Sequence, residues 1–263
     1  MYDFIRVVVL GTGQMGSGIA RLLLAKSGLE LVGIYARRKQ RRGLDLGPLI
    51  GLNKEIGISV SNDLETILEQ TQPHIAIQAT CSRVADAEGE ITTLIRHGVH
   101  VISIAEEMAF PAACSPSFSE RINQLANANG VAVLGTGINP GFMLDFLIIT
   151  LSGVCADIQS ITAKRVNDLS PYGRSVIMSQ GIGLNPEAFQ TGLENRTIVG
   201  HIGFTESIHM IASALGWEIE RVEEKREAIV SQVRRQTPFI TIEPGQVAGC
   251  YHTAVAYLDG KPV

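Results

Sequence analysis

The chain has 263 residues, of which 45% are hydrophobic and 18% charged, with a formal net charge of −4. That length admits one large domain or two modest ones, and the charge balance excludes a broadly basic nucleic-acid binder. The longest late apolar run, Phe142 to Val154, contains Asp145 and is too short to span a bilayer. Tyr2-Asp3-Phe4 makes no basic leader region. Cys81, Cys114, Cys155 and Cys250 stand far apart, with no CxxC pair and no histidine at metal spacing. Free thiols in a cytoplasmic protein without a metal centre are therefore expected.

The first half alternates β-branched runs with helical stretches. Strands are expected over 6–10, 29–35, 74–79, 100–104 and 131–134, with a short one near 58–61. Helices are expected near 14–27, 63–71, 86–97, 117–129 and 141–151. Asn62 or Asp63 suits the cap of the second helix, and Gly98 and Gly130 suit the ends of the third and fourth. Such a succession predicts an α/β fold with a Rossmann-type doubly wound parallel sheet over residues 1–152. Beyond that the pattern changes. Residues 157–166 read as a strand, a helix runs from 204 or 205 to 215, and alternation returns over 218–224, 228–235, 239–243 and 246–258. Turns fall at Pro244-Gly245 and Asp259-Gly260. Strands joined by short turns predict a second, α+β domain over 153–263.

Gly11-Thr12-Gly13-Gln14-Met15-Gly16 lies between the first strand and the first helix, where a dinucleotide-binding crossover carries its glycine turn. Gly11 permits the tight turn, Gly13 a close approach of main-chain N–H groups to a pyrophosphate, and Gly16 the packing of helix on strand. The helix start adds orphan donors and about half a positive charge.

After the second strand comes Ala36-Arg37-Arg38. An NAD site usually places a carboxylate here for the ribose hydroxyls, whereas arginine accommodates a 2′-phosphate. NADP is the expected cofactor, held by Arg37 and Arg38, with NAD as the other option; a solvated basic loop is the bland reading.

Three further segments follow predicted strands and should reach the crevice. Ala79-Thr80-Cys81-Ser82 is expected beside the cofactor; Cys81 lacks a histidine partner and reads as a buried thiol. Glu106 and Glu107 are adjacent and should point oppositely, one to the pocket and one to a structural ion pair. In Gly135-Thr136-Gly137-Ile138-Asn139-Pro140-Gly141-Phe142, Asn139 can cap a helix that has Pro140 at its first position, or serve the catalytic site.

These stretches resemble the 2,4-diaminopentanoate dehydrogenases and related diamino-acid dehydrogenases, whose N-terminal fold is that of dihydrodipicolinate reductase. The resemblance is carried by Gly11–Gly18, Leu44-Asp45-Leu46-Gly47, Ala79–Ser82, Val101–Pro111 and Val133–Asp145. It continues through Gly181-Ile182-Gly183-Leu184, the segment from Glu206 to Ala212, Ala214-Leu215-Gly216-Trp217 and Pro244–Gly249. It implies NAD(P)-dependent oxidative deamination of a small diamino acid to an amino-oxo acid and ammonia, by a homodimer. Two departures stand out. Ala36 replaces a commonly acidic residue, and the chain ends at Gly260-Lys261-Pro262-Val263 where family members continue, so a shortened second domain is expected.

The chemistry asks for a carboxylate that takes the proton of the substrate amine, with Glu107 the first choice and Glu106 the second. Arg165 is the expected partner of the substrate carboxylate, unless it pairs with Asp168. His201 and Glu206 stand at family-like positions for substrate contact, His201 being otherwise a loop residue. The competing readings are a dihydrodipicolinate reductase-like oxidoreductase, whose paired-histidine segment His97 and His100 do not form, and a catalytically weak nucleotide-binding sensor or scaffold.

Overall fold

Val7, Val8, Val9 and Leu10 are all buried, and along β1 (Ile5–Leu10) their alternating directions serve two cores. Val7 and Val9 pack with Ala20, Leu23 and Leu31, while Val8 and Leu10 pack with Ile91, Leu94 and Ile95. A strand apolar on both faces belongs in the middle of a covered parallel sheet. This computed structural model describes residues 4–263, the side chain of Ser175 excepted, so Tyr2 and Asp3 of the N-terminal reading lie outside the described residues.

After β1 come α1 (Gln14–Ala25), β2 (Leu29–Tyr35), α2 (Leu46–Leu49), β3 (Val60–Ser61), α3 (Leu64–Thr71) and β4 (Ile75–Gln78). Then follow α4 (Val84–Arg96), β5 (His100–Ser103), α5 (Pro111–Cys114), α6 (Pro116–Asn129) and β6 (Val133–Gly135). The strands form one six-stranded parallel sheet in the order β3-β2-β1-β4-β5-β6. The order reverses between β1 and β4, and in sheets of this type such a switch point marks where a ligand binds beyond the carboxyl ends of the strands. Local caps fall where the residue types predict them. The Asp63 carboxylate accepts the Thr66 N–H at 3.1 Å, and Gly98 and Gly130, at φ of 71° and 67°, close α4 and α6. Asp45 accepts main-chain N–H groups of Gly47, Ile56 and Gly57 at 2.8, 3.0 and 2.8 Å, tying the stretch around α2 into a knot.

The chain divides into two units, Met1–Met143 and Leu144–Val263, so the boundary lies ahead of the one expected after residue 152. The second unit contains α7 (Phe146–Ser152), α8 (Arg174–Ser179), α9 (Pro186–Glu194), α10 (Phe204–Leu215), β7 (Arg221–Val230), β8 (Arg235–Gln236), β9 (Thr241–Ile242), β10 (Val247–Leu258) and β11 (Lys261–Pro262). Its main sheet is antiparallel in the order β11-β10-β7, with a separate β8-β9 ribbon. Asp259 and Gly260, at φ of 50° and 70°, turn β10 into β11, which is the two-residue hairpin that Asp-Gly favours. Ile177, Ile182, Phe189, Ile198, Ile242 and Val247 make its core.

Several expectations need correction. Residues 157–166 are not a strand: β7 and β10 pair with each other, and the alternating segment finds no ladder of its own. The stretches 218–224 and 228–235 are not two strands, because β7 runs unbroken from Arg221 to Val230. The helix expected over 141–151 begins only at Phe146, capped by Asp145, whose carboxylate accepts the Phe146 N–H at 2.6 Å. Asn139 is therefore not a helix cap, and Pro140 does not occupy a first helical position; the Asn139-Pro140 bond is cis and sits in a turn.

Candidate active site

The glycine loop shows why each glycine is needed. Gly11 has φ of 117°, and a Cβ on it would lie 2.4 Å from the carbonyl oxygen of Ala79, so this loop and the one after β4 touch backbone to backbone. A Cβ on Gly16 would lie 2.1 Å from the carbonyl oxygen of Gly11, the close helix-to-strand approach. Gly13 differs: a Cβ there would meet nothing within 4 Å. No side chain caps α1, whose N-cap is Gly13, and Gln14 and Met15 beside it are exposed. Open space above uncapped N–H donors fits a pyrophosphate. Thr12 is buried, and its carbonyl oxygen accepts from Arg41 Nη1.

At the end of β2, Ala36 is buried and Arg38 is exposed, without an ion-pair partner among the described residues. Arg37 is engaged by α4. Its Nε donates to Glu90 Oε1 at 2.7 Å and its Nη2 to the carbonyl oxygen of Asp86 at 2.6 Å. The hydrogen bond to Glu90 raises the pKa of the guanidinium against the opposing pull of burial.

Glu90 stands on the buried face of α4 with Ala87, Ile91 and Leu94, an unusual place for a charge. Its second oxygen accepts from Thr80 Oγ1 and, at 3.3 Å, from Gln78 Nε2. Gln78 in turn accepts from Ser103 Oγ, which also receives the Ala105 N–H at 3.2 Å. A buried polar chain thus runs from the β2 loop through the ends of β4 and β5. Cys81 lies on its margin, with Sγ 3.1 Å from Gln78 Nε2, and has no histidine partner among the described residues. Ala79 forms the wall against Gly11.

Behind β5 the chain makes a short 3-10 turn, Glu106–Ala109, rather than the extended stretch on which the two glutamates would point oppositely, and Glu107 makes a main-chain hydrogen bond rather than an ion pair. Their hydrogen bonding differs. Glu107 Oε2 accepts the Val84 N–H at 2.8 Å and its own N–H donates to the Ser82 carbonyl oxygen at 3.1 Å, so it is tied to the start of α4. Glu106 is half-buried and has no hydrogen-bond or ion-pair partner among the described residues. The glycines after β6 allow tight folding there. A Cβ on Gly135 would lie 1.6 Å from the Met108 carbonyl oxygen, and one on Gly141 2.2 Å from the Gly137 nitrogen. Asn139 is held within this loop.

In the second unit, Arg165 stands exposed in the irregular segment rather than on a strand, and Asp168 pairs locally with Ser170 instead. The charge of Arg165 acts on His201. Burial, then the positive charge of Arg165, push the His201 pKa down to about 4, with His252 adding to the shift and Glu224 opposing it. The His201 main-chain N–H donates to His252 Nδ1 at 3.1 Å, which leaves Nε2–H of His252 to donate to Glu224 Oε2 at 3.1 Å. Phe204 stands edge-on to both histidine rings, at 4.9 and 4.8 Å between centroids. Glu206 is buried in the first turn of α10, where the helix dipole favours a carboxylate. Next to it, Ser207 Oγ donates to Asp145 Oδ2 at 2.8 Å. Close by, an apolar cavity of about 110 Å³ is lined by Ile148, Ile161, Phe204, Ile208 and Trp217.

Residues 142–263 match the 2,4-diaminopentanoate dehydrogenase C-terminal domain family, and residues 5–104 match the dihydrodipicolinate reductase N-terminus family. Over 267 aligned residues the chain is 38% identical to a 2,4-diaminopentanoate dehydrogenase of Acetoanaerobium sticklandii, covering 98% of this chain and 73% of that protein. The chain belongs to the 2,4-diaminopentanoate dehydrogenase family. An amine dehydrogenase of Streptomyces virginiae is 25% identical over 238 residues, which is 89% of this chain and 66% of that one. The structure of an amine dehydrogenase from Mycobacterium smegmatis superposes with a TM-score of 0.82 at 28% identity, over 97% of this chain and 75% of the other. Glu90, Gln78 and His252 were not singled out from the sequence; a glutamate at apolar spacing in α4 was the available signal for the first.

Proposed function

We propose that the chain oxidatively deaminates a small diamino acid of the 2,4-diaminopentanoate type. The substrate, water and the oxidised nucleotide give an amino-oxo acid, ammonium, the reduced nucleotide and a proton. The observation that carries this reading is the similarity to a 2,4-diaminopentanoate dehydrogenase over 98% of the chain, across both units.

A nicotinamide dinucleotide, when bound, supplies the two-electron acceptor. The α1 N-terminus and the space left by Gly13 would hold its pyrophosphate, and Ala79, Thr80 and Cys81 of the adjoining loop would line the same site. NADP(H) is the favoured form: Ala36 offers no carboxylate to repel a 2′-phosphate, and exposed Arg38 can bind it. R38A should weaken NADPH binding more than NADH binding.

Glu106 is the carboxylate we assign to the amine. It holds the substrate ammonium, accepts its proton, and so frees the nitrogen lone pair that drives oxidation at the adjacent carbon. The proton is available again when water hydrolyses the imine. Glu107 supports this indirectly by fixing the loop. Asn139 shapes the neighbouring turn. In the second unit Arg165 is assigned to the substrate carboxylate. Neutral His201 beside it acts as a hydrogen-bonding group without competing for that anion, and Glu206 lies deeper in the same unit.

A homodimer fits the outer face of the β7–β10 sheet, where Ile229, Tyr251 and Val255 are exposed, and sedimentation tests it. A cytoplasmic setting fits four free cysteines; among the described residues no helix is long and apolar enough to cross a membrane. The activity is tested by following reduced-nucleotide formation with 2,4-diaminopentanoate, ornithine, lysine and 3,5-diaminohexanoate. Turnover of at least one, fastest with 2,4-diaminopentanoate, is expected. Nucleotide binding with turnover of none would overturn the reading.

A further inference from the structure

We infer that Glu90 is a positioning residue that sets coenzyme discrimination by holding Arg37 away from the nucleotide phosphate. The inference rests on the nucleotide-binding reading above and concerns which arginine reads the 2′ position.

Ala36 occupies the place where an NAD site usually keeps a carboxylate for the ribose. An acid arrives instead from α4 to meet Arg37. Glu90 is 8% exposed, and its two oxygens are fully engaged, one by Arg37 and the other by Thr80 and Gln78. Arg37 is anchored on the same side of its fork, with Nε on Glu90 and Nη2 on the Asp86 carbonyl oxygen, 3.8 Å from Cys81 Sγ.

Two consequences follow for a 2′-phosphate. A guanidinium binds phosphate best through two parallel N–H groups and an uncompensated charge, and Arg37 has one such edge occupied and its charge matched by Glu90. Turning Arg37 to the ligand would also strand a buried carboxylate without its cation, which costs far more than an exposed pair returns. The phosphate is therefore left to Arg38, which is exposed, and to Arg41, which already bridges to the Thr12 carbonyl oxygen of the glycine loop. Glu90 keeps the preference for NADP(H) smaller than three arginines after one strand would give.

The test measures dissociation constants for NADPH and NADH by nucleotide fluorescence in wild type, E90Q and the double variant E90Q/R37Q. In E90Q the carboxylate charge is gone and Arg37 becomes available. NADPH affinity should then rise about tenfold relative to NADH, as one added charge-assisted hydrogen bond gives. In E90Q/R37Q the ratio should return to within about twofold of wild type. A ratio unmoved in E90Q overturns the inference. So does a selective loss of NADPH affinity by tenfold or more in the double variant, because Arg37 would then touch the phosphate in the native protein. The double variant replaces an ion pair by a neutral hydrogen-bonded pair and remains informative if E90Q alone does not fold. A wild-type chain that binds neither nucleotide removes the nucleotide reading and this inference with it. Wild-type binding with an unmoved ratio removes this inference alone.

Discussion

The Glu107 carboxylate accepts the main-chain N–H of Val84 at 2.8 Å, so the helix that follows β4 is capped from the loop that follows β5. Two neighbouring loops are thereby fixed to each other, while the adjacent Glu106, the carboxylate we propose for the amine, has no hydrogen-bond partner among the described residues. Replacing Glu107 by alanine should lower stability by about 1 kcal/mol, the usual cost of a lost cap, as read by chemical denaturation. Replacing Glu106 by glutamine should leave stability unchanged and lower kcat by about a hundredfold or more. The opposite pattern, with E107Q abolishing turnover and E106Q near normal, would return the assignment to Glu107.

Two of the three cradle glycines should fail differently. Gly16→Ala places a methyl 2.1 Å from the Gly11 carbonyl oxygen, so it should destabilise the first unit by about 1–3 kcal/mol. Gly13→Val has room in the protein itself and should fold, yet weaken NADPH and NADH alike by about tenfold or more because it fills the pyrophosphate space. Melting curves alongside nucleotide titrations separate the two effects.

His201 gives a pH signature. Its folded pKa of about 4 lies below the ordinary 6.5, under burial and the charges of Arg165 and His252, with Glu224 opposing. The unfolded chain therefore takes up the proton first. The stabilisation is complete above pH 6.5 and is lost as pH falls towards 4, by at most about 3 kcal/mol. Denaturation at a series of pH values should show a shallower acid loss in H201Q than in wild type. Parallel curves would contradict this burial.

Asp145 is fully buried, and it joins the start of α7 to α10 through Ser207. Ser207→Ala should cost about 1–3 kcal/mol by removing a donor from a buried carboxylate, and Asp145→Ala should cost more because the cap is lost too. A double-mutant cycle should show coupling between them.

The first unit was legible because its signals are local and redundant. Val7–Leu10 is apolar throughout, Gly11, Gly13 and Gly16 follow at once, and Asp63, Gly98 and Gly130 mark helix ends. The second unit was less so. Residues 157–166 alternate like a strand but pair with no strand among the described residues, and a ladder is a tertiary property that one segment cannot announce. Asn139-Pro140 looked like a helix start, and Asp145 does that work six positions later, after a turn shaped by Gly137 and Gly141. In the candidate site the residue types were readable and their commitments were not. Arg37 and Glu107 both carry suitable chemistry, and only the approach of α4 shows that each is already engaged.

The most direct measurement is the stoichiometry of ammonia and reduced nicotinamide released by the wild-type protein from 2,4-diaminopentanoate. Equal amounts of the two, with both falling together in E106Q, are expected. Reduced nicotinamide without ammonia, or neither product from a well-folded chain that binds the nucleotide, would contradict amine oxidation at this crevice.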